Sequence, residues 1–412
     1  MNQKENRPRS DSSTTVGRRL RVLHVYRTYF PETQGGLQEA IRQISRGLRT
    51  AGCEASVFTL AKDPVPPTVQ MQEGVVVRAK SIAEIASCDI GSPWGVAQFR
   101  KLAASADILN FHYPWPFGDL LGALFNPGKP YVITYHSDIV RQRAVERLYA
   151  PLRTLFFQRA AAVVATSQVY AMTSPYLTRT NWPVEVIPLG IDPGDIPAVS
   201  DPVRTKWKSR FPLPFFLFVG VLRYYKGLEF LIMAARINGA TVVIAGDGPE
   251  RERLKSLAEG MDNVHFVGHV TDEDKFALLA LARSVVFPSH LRAEAFGVTL
   301  LEGAISACPL ISTEIGTGTS YVNAHGETGL VVPPADPVTL SNAMSRLLND
   351  EKEAMRMGIA ARERCIRLFN TADIGRRYLE LYTRICGGPA TDARQERPEG
   401  LSQLERRSAP RG

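Results

Sequence analysis

Short runs of β-branched and aromatic residues alternate with helix-period segments along almost the whole chain, and they fall into two sets separated by a proline-dense stretch. The strand candidates of the first set are 20–26, 55–60, 108–111, 131–135, 162–165 and 184–187; those of the second are 215–219, 241–244, 264–267, 285–287, 310–312 and 329–331. Such alternation builds parallel sheets covered by helices on both faces, and two sets of it build two such domains. Pro188, Pro193, Pro197, Pro202, Pro212 and Pro214 mark the break, because proline removes a backbone donor and cannot continue a core element. The chain therefore divides into a tail over 1–18, a first domain over 19–190, a connection over 191–213, a second domain over 214–370, a final helix over 371–388 and a tail over 389–412. Both tails mix polar and charged residues without periodicity and are expected to be disordered. Open α/β sheets bind ligands beyond the carboxyl ends of their strands, so two such domains facing each other bind between them.

Composition narrows the class of partner. At 412 residues, 44% hydrophobic and 22% charged, the chain has the make-up of a water-soluble protein with full cores. Cys53, Cys88, Cys308, Cys365 and Cys386 are odd in number and scattered, with no C-x-x-C pair, which points away from a disulfide framework or zinc site and toward a reducing cytosol. The N-terminal region lacks the apolar core of a signal peptide, and no stretch of 18 apolar residues is present to span a bilayer, so a soluble or peripheral protein is expected. The net charge of +8 calls for an anionic partner: a nucleotide, a diphosphate lipid, a membrane surface or a nucleic acid.

The most informative segment begins with the strand candidate at 285–287 and continues through Pro288 into Glu294-Ala-Phe-Gly-Val-Thr-Leu-Leu-Glu302. A helix opening at about Gly297 leaves the N–H groups of Gly297, Val298 and Thr299 free to meet an anion. Glu294 then lies in the loop beside Phe296, and Glu302 on the second turn. One carboxylate is placed for sugar hydroxyls and the other for a ribose, with a diphosphate on the helix end between them. In isolation, two glutamates near a helix start need no ligand, since the macrodipole favours acids there.

Other segments add to it. Arg223 and Lys226 follow the first strand of the second domain, where paired cations can hold two phosphates. Gly35 and Gly36 sit between the first strand and its helix, where glycine lets backbone approach a ligand closely. His136 and His112 end adjacent strand candidates and open on the presumed cleft, whereas His265 lies within a strand and reads as structural. Asp272-Glu273-Asp274 mimics a D-x-D metal motif, but Thr271 with Asp274 three residues on reads as a helix cap, so no metal site is assigned. The segment 138–159 carries Arg141, Arg143, Arg147, Arg153 and Arg159 among apolar residues; it fits either an anionic membrane surface or a helix with solvated arginines.

Together the Gly-Gly loop, His136-Ser-Asp138, Arg223-x-x-Lys-Gly227, Gly246-Asp-Gly-Pro249, the two glutamates and Gly326-Glu-Thr-Gly-Leu330 resemble, in order over about residues 20–388, the retaining family 4 glycosyltransferases of GT-B fold. The segments 24–31, 221–227, 287–297 and 315–319 look most like bacterial O-antigen and A-band-type mannosyl- or D-rhamnosyltransferases that use GDP-sugars. The resemblance implies an N-terminal acceptor domain, a C-terminal nucleotide-sugar domain and a last helix crossing back onto the first domain. It implies catalytic roles for His136 beside the donor sugar and for Arg223, Lys226 and Glu294. Binding roles fall to Gly35, Gly36, His112, Gly248, Val270, Phe296, Gly297, Val298 and Glu302. It further implies retention without a metal or other cofactor, a polyprenyl-diphosphate-linked glycan as acceptor at the cytoplasmic face of the inner membrane, and no nucleic-acid partner. Two alternatives stay open: a GT-B-fold nucleotide-sugar hydrolase or epimerase, and a non-catalytic subunit of a polysaccharide complex.

Overall fold

The computed structural model describes residues 19–85, 88–139, 143–179, 182–211 and 214–387. The expectations for both tails and for Arg141 fall outside these residues, as do the side chains of Arg143 and Arg147.

Two sheets form. The first contains β1 (Arg21–Val25), β2 (Glu54–Ala61), β3 (Thr68–Met71), β4 (Gly74–Ile85), β5 (Cys88–Gly91), β6 (Ile108–Tyr113), β7 (Tyr131–Tyr135), β8 (Ala162–Ala165) and β9 (Val184–Val186). They run in the order β3-β4-β2-β1-β6-β7-β8-β9, with β5 on β4, and only β3 and β5 are antiparallel to their neighbour. The second sheet contains β10 (Phe215–Val219), β11 (Thr241–Ala245), β12 (Val264–Gly268), β13 (Ser284–Phe287), β14 (Leu310–Thr313) and β15 (Gly329–Val332), all parallel in the order β12-β11-β10-β13-β14-β15.

The continuous apolar runs that marked the strands arise because both faces are covered. In β1, Val22 packs with Ala40, Ile44 and Leu48 of the helix Gly36–Thr50, whereas Leu23 and Val25 join Phe99 of the helix Pro93–Ser105 on the other face. In β10, Phe216 and Phe218 pack with Leu228 and Leu231 of the helix Leu228–Asn238, while Phe215, Leu217 and Val219 face the opposite way.

All twelve strand candidates are present, but β3, β4 and β5 were not expected. Prolines at 64, 66 and 67 and the charges Arg78 and Lys80 disguise this hairpin. Arg78 is buried because Glu32 ion-pairs with it and the Pro66 carbonyl accepts from its Nε at 3.1 Å.

The stretch 191–213, read as a bare connection, also contains the helix Asp201–Arg210. Pro202 sits in its first turn, where no intrahelical donor is required, and nine proline-free residues follow. Its Trp207 is buried and donates to Asp274 at 2.7 Å, which docks the helix on Asp272–Leu281 of the second domain.

The last helix, Thr371–Gly387, returns to the first domain. Asn110 donates to the Tyr382 hydroxyl at 2.8 Å, and the Tyr378 hydroxyl lies 3.2 Å from Thr134 Oγ1. Its crossing with the helix Gly36–Thr50 depends on two glycines: a Cβ on Gly375 would fall 2.0 Å from the Gly47 carbonyl carbon.

Candidate active site

The sheets point their carboxyl ends at each other across a cavity of about 560 Å³ lined from both domains. Of the residues anticipated from sequence, Gly35, Gly36, Val270, Val298 and Glu302 line it directly. The two halves meet closely, since a Cβ on Gly36 would lie 3.7 Å from Val298 Cγ2. That contact brings the Gly-Gly turn against the start of the helix Val298–Ile305, where Leu300 N–H donates to the Gly297 carbonyl at 2.9 Å and the N–H groups of Val298 and Thr299 have no intrahelical acceptor. Gly297 caps this helix at φ 86°, and a Cβ there would also crowd Phe287 and Leu300 at 3.1 Å. Only glycine suits that corner.

Glu302 projects from the second turn and accepts from Lys275 Nζ at 2.7 Å. Burial pushes its carboxyl pKa up, with Lys275 opposing. Burial lowers the Lys275 ammonium, but Glu302 and Asp272 outweigh it and the net shift is upward. Sequence reasoning missed Lys275, whose position four residues into a helix opened by three acids looked like surface patterning. It also missed Glu39 and Arg42, which share a face of the helix behind Gly36 and line the cavity. Arg42 ion-pairs with Glu39 and stands 4.4 Å over the Phe30 ring.

Beyond the cavity, Lys226 and Glu294 form an ion pair between the loops that follow β10 and β13. The loops are also tied by His290 N–H donating to the Tyr225 carbonyl at 3.0 Å, and by Gly227 at φ 67°, where a Cβ would strike the Pro288 carbonyl at 2.1 Å. Arg223 is exposed and has no ion pair among the described residues.

Three expected contacts are of another kind. Phe296 is buried against Phe369, so its side chain builds the core rather than the cavity. Gly248 lies off the cavity wall, where a Cβ would meet the Leu222 carbonyl at 2.5 Å; its neighbours Gly246 and Asp247 line the space instead. His112 is enclosed between His24 Nδ1 at 3.0 Å and His136 Nε2 at 2.9 Å, which leaves it no nitrogen for a substrate. Burial pulls His24 and His136 each down to about 3, and holds His112 well below its ordinary value, so all three rings are neutral near pH 7.

The acids at 272–274 are engaged locally: Thr271 Oγ1 accepts the Asp274 N–H at 3.1 Å, Lys275 donates to Asp272 at 2.9 Å, and Ser200 Oγ donates to Glu273 at 2.7 Å. Of the basic segment, Arg153 stacks 4.1 Å over Tyr176 and Arg159 donates to the Ala123 carbonyl, so these two serve internal packing. Across the cleft Arg292 Nε donates to Asp138 Oδ2 at 3.3 Å, joining the loop of Glu294 to the strand end of His136.

Residues 34–195 match the family model described as Glycosyltransferase Family 4, and residues 201–364 the one described as Glycosyl transferases group 1. The chain is 46% identical over 352 residues to the D-rhamnosyltransferase WbpZ of Pseudomonas aeruginosa, covering 85% of this chain and 92% of that protein. This chain is a family 4 glycosyltransferase. The glycosyltransferase is also 42% identical over 368 residues to the O-antigen chain mannosyltransferase C of Escherichia coli, covering 89% and 99% of the two chains. Its fold is GT-B: sucrose-phosphate synthase from Thermosynechococcus elongatus superposes with a TM-score of 0.77 at 23% identity, over 90% of this chain and all of that one. Anabaena Alr3699/HepE in complex with UDP superposes at 0.70 with 18% identity, over 88% and 100%. No helix among the described residues of the glycosyltransferase is long and apolar enough to cross a membrane.

Proposed function

We propose that this glycosyltransferase moves mannose or D-rhamnose from a GDP-linked donor to a polyprenyl-diphosphate-linked glycan in O-antigen synthesis, with retention of anomeric configuration and without a divalent metal. The observation that carries the reading is its likeness, along nearly the whole chain, to one protein named as a D-rhamnosyltransferase and another named as an O-antigen mannosyltransferase.

In this reading the diphosphate rests on the free N–H groups of Val298 and Thr299, flanked by Arg223 and Lys226. Fixed cations and amide dipoles there neutralise the charge that builds on the departing nucleotide. Glu302, held by Lys275, takes the ribose hydroxyls, and the base lies between Asp247 and the His269–Val270 turn. The sugar extends toward Glu294 and His136. The acceptor hydroxyl attacks the anomeric carbon on the face the diphosphate leaves. Its oxygen forms the new glycosidic bond, the carbon–phosphate-oxygen bond breaks, and a phosphate oxygen receives the proton.

Peripheral membrane contact belongs to the same reading. Ile82 of β4 and Trp94, at the start of the helix Pro93–Ser105 that follows β5, are exposed by 60% and 73%, and Lys80 of the same strand and Arg100 and Lys101 of the same helix are also exposed. An amphipathic ring beside basic residues suits an anionic interface. The test is a radiolabelled donor screen with GDP-mannose, GDP-rhamnose, UDP-glucose and UDP-GlcNAc against a membrane lipid extract, with and without EDTA. GDP-dependent, EDTA-resistant labelling of lipid is expected. Labelling from a UDP-sugar alone overturns the donor assignment, release of free sugar without acceptor makes the protein a hydrolase, and loss of activity in EDTA refutes the metal-free scheme.

A further inference from the structure

His24, His112 and His136 stand side by side at β1, at β6 and just beyond β7, with neighbouring ring centroids 5.3 and 5.1 Å apart. All three are buried, and none of the rings hydrogen-bonds a carboxylate among the described residues. The order of contacts is fixed: His24 Nδ1 to His112 Nε2, then His112 Nδ1 to His136 Nε2. Three neutral rings carry three ring hydrogens, and each of the two contacts takes one. The third hydrogen therefore sits at one end of the row, on His24 Nε2 or on His136 Nδ1.

These ends differ. His24 Nε2 is buried and has no hydrogen-bond partner among the described residues. A hydrogen there is an orphaned interior donor, the rarest class of unsatisfied group. His136 follows β7 at the carboxyl end of the first sheet, behind the residues that line the cavity and two residues before the Asp138 carboxylate that reaches across to Arg292. Its Nδ1 has no hydrogen-bond partner among the described residues, so water or a ligand can accept from it. The hydrogens consequently run outward, each ring donating to the next, and this head-to-tail polarity strengthens the outermost donor.

We propose that His24 and His112 act through His136 as positioning residues, holding it as the neutral Nδ1–H tautomer so that it offers the cleft a hydrogen-bond donor and not a base. With Nε2 occupied by His112 and Nδ1 carrying hydrogen, His136 has no lone pair for the acceptor's proton. The consequence for catalysis rests on the glycosyl-transfer reading above; the tautomer itself does not.

Long-range proton–nitrogen correlation on full-length protein labelled with ¹⁵N-histidine reads the tautomer directly, and a His136→Gln sample assigns the signal among the seven histidines. His136 is expected in the Nδ1–H form. In His112→Phe, which removes the inner donor, that preference should be lost and kcat should fall roughly tenfold, the size of one hydrogen bond, at little-changed KM. His112→Gln, which keeps a donor, should restore part of both. An Nε2–H tautomer in the unaltered protein, or the same tautomer with and without His112, overturns the proposal. A normal tautomer response with unaltered turnover in His112→Phe keeps the row and refutes the catalytic use drawn from it.

Discussion

Lys226 and Glu294 neutralise each other across the loops that follow β10 and β13 of the second domain, and each side chain is only 12% exposed. In the proposed reading a sugar nucleotide entering there divides the pair, giving the ammonium to phosphate and the carboxylate to sugar hydroxyls. Arg223, exposed beside them, is the cation available before the pair opens.

Lys226→Ala and Arg223→Ala should each lower turnover by roughly 10²–10³-fold, the range for losing one charge contact made in the transition state. Lys226→Ala also leaves Glu294 without its counter-ion and should raise KM further. Initial-rate measurements decide this; full activity in either variant removes that residue from charge stabilisation.

Glu302→Ala should weaken binding of GDP itself by about 1.5–3 kcal/mol, the worth of a charged hydrogen bond. Lys275→Ala should mimic it, because Glu302 is then buried without its cation and its already raised pKa climbs further. The sign follows: GDP affinity in Lys275→Ala falls as pH is lowered, earlier than in the unaltered protein. Glu294→Ala should spare GDP affinity and lower the rate with intact donor. Calorimetry with GDP beside rates with the full donor separates the two roles, and identical profiles refute the division.

The cleft is spanned by Arg292 and Asp138, with Thr173 Oγ1 donating to the Gly316 carbonyl at 2.6 Å beside them. Saturating GDP should reduce the radius of gyration in solution scattering, since substrate enters between the domains. Arg292→Ala should enlarge it without nucleotide. No change in either measurement would mean the domains hold one separation throughout.

Gly375→Ala should destabilise the protein by about 1–3 kcal/mol, the cost of overpacking a close crossing. Gly387→Ala, near whose Cβ position nothing lies within 4 Å, should be close to neutral. Thermal melts of the two variants test whether the last helix is held by this backbone contact.

Asp274 ties the helix Asp201–Arg210 to the second domain. Burial raises its carboxyl pKa, but bonds from Lys206, Thr271 and Trp207 prevail and draw it from 3.8 to about 2. A depressed folded-state value contributes stability that is complete above the ordinary value and lost as pH falls through about 2. Asp274→Asn should therefore flatten the stability curve between those limits, read by Trp207 fluorescence in denaturant titrations. An unchanged slope would show that the carboxylate adds nothing to docking.

The sequence by itself determined twelve parallel strands of the two sheets and the loops that meet the cleft. Those features are local: a strand buried on both faces must be apolar throughout, and a left-handed corner such as Gly297 admits little but glycine. It also marked Glu302, Gly36 and Val298, which line the cavity. Only the tertiary structure decided which groups share space. Lys275 meets Glu302 from a separate helix, Phe296 turns into the core, and His24 lines up behind His112 and His136 although 88 and 112 positions separate it from them in sequence. The hairpin of β3–β5 was hidden for the same reason, since the burial of Arg78 depends on a carboxylate 46 residues away. Pairing between charges or rings distant in the chain leaves no periodic trace, and it is such pairing that sets the electrostatics of the site.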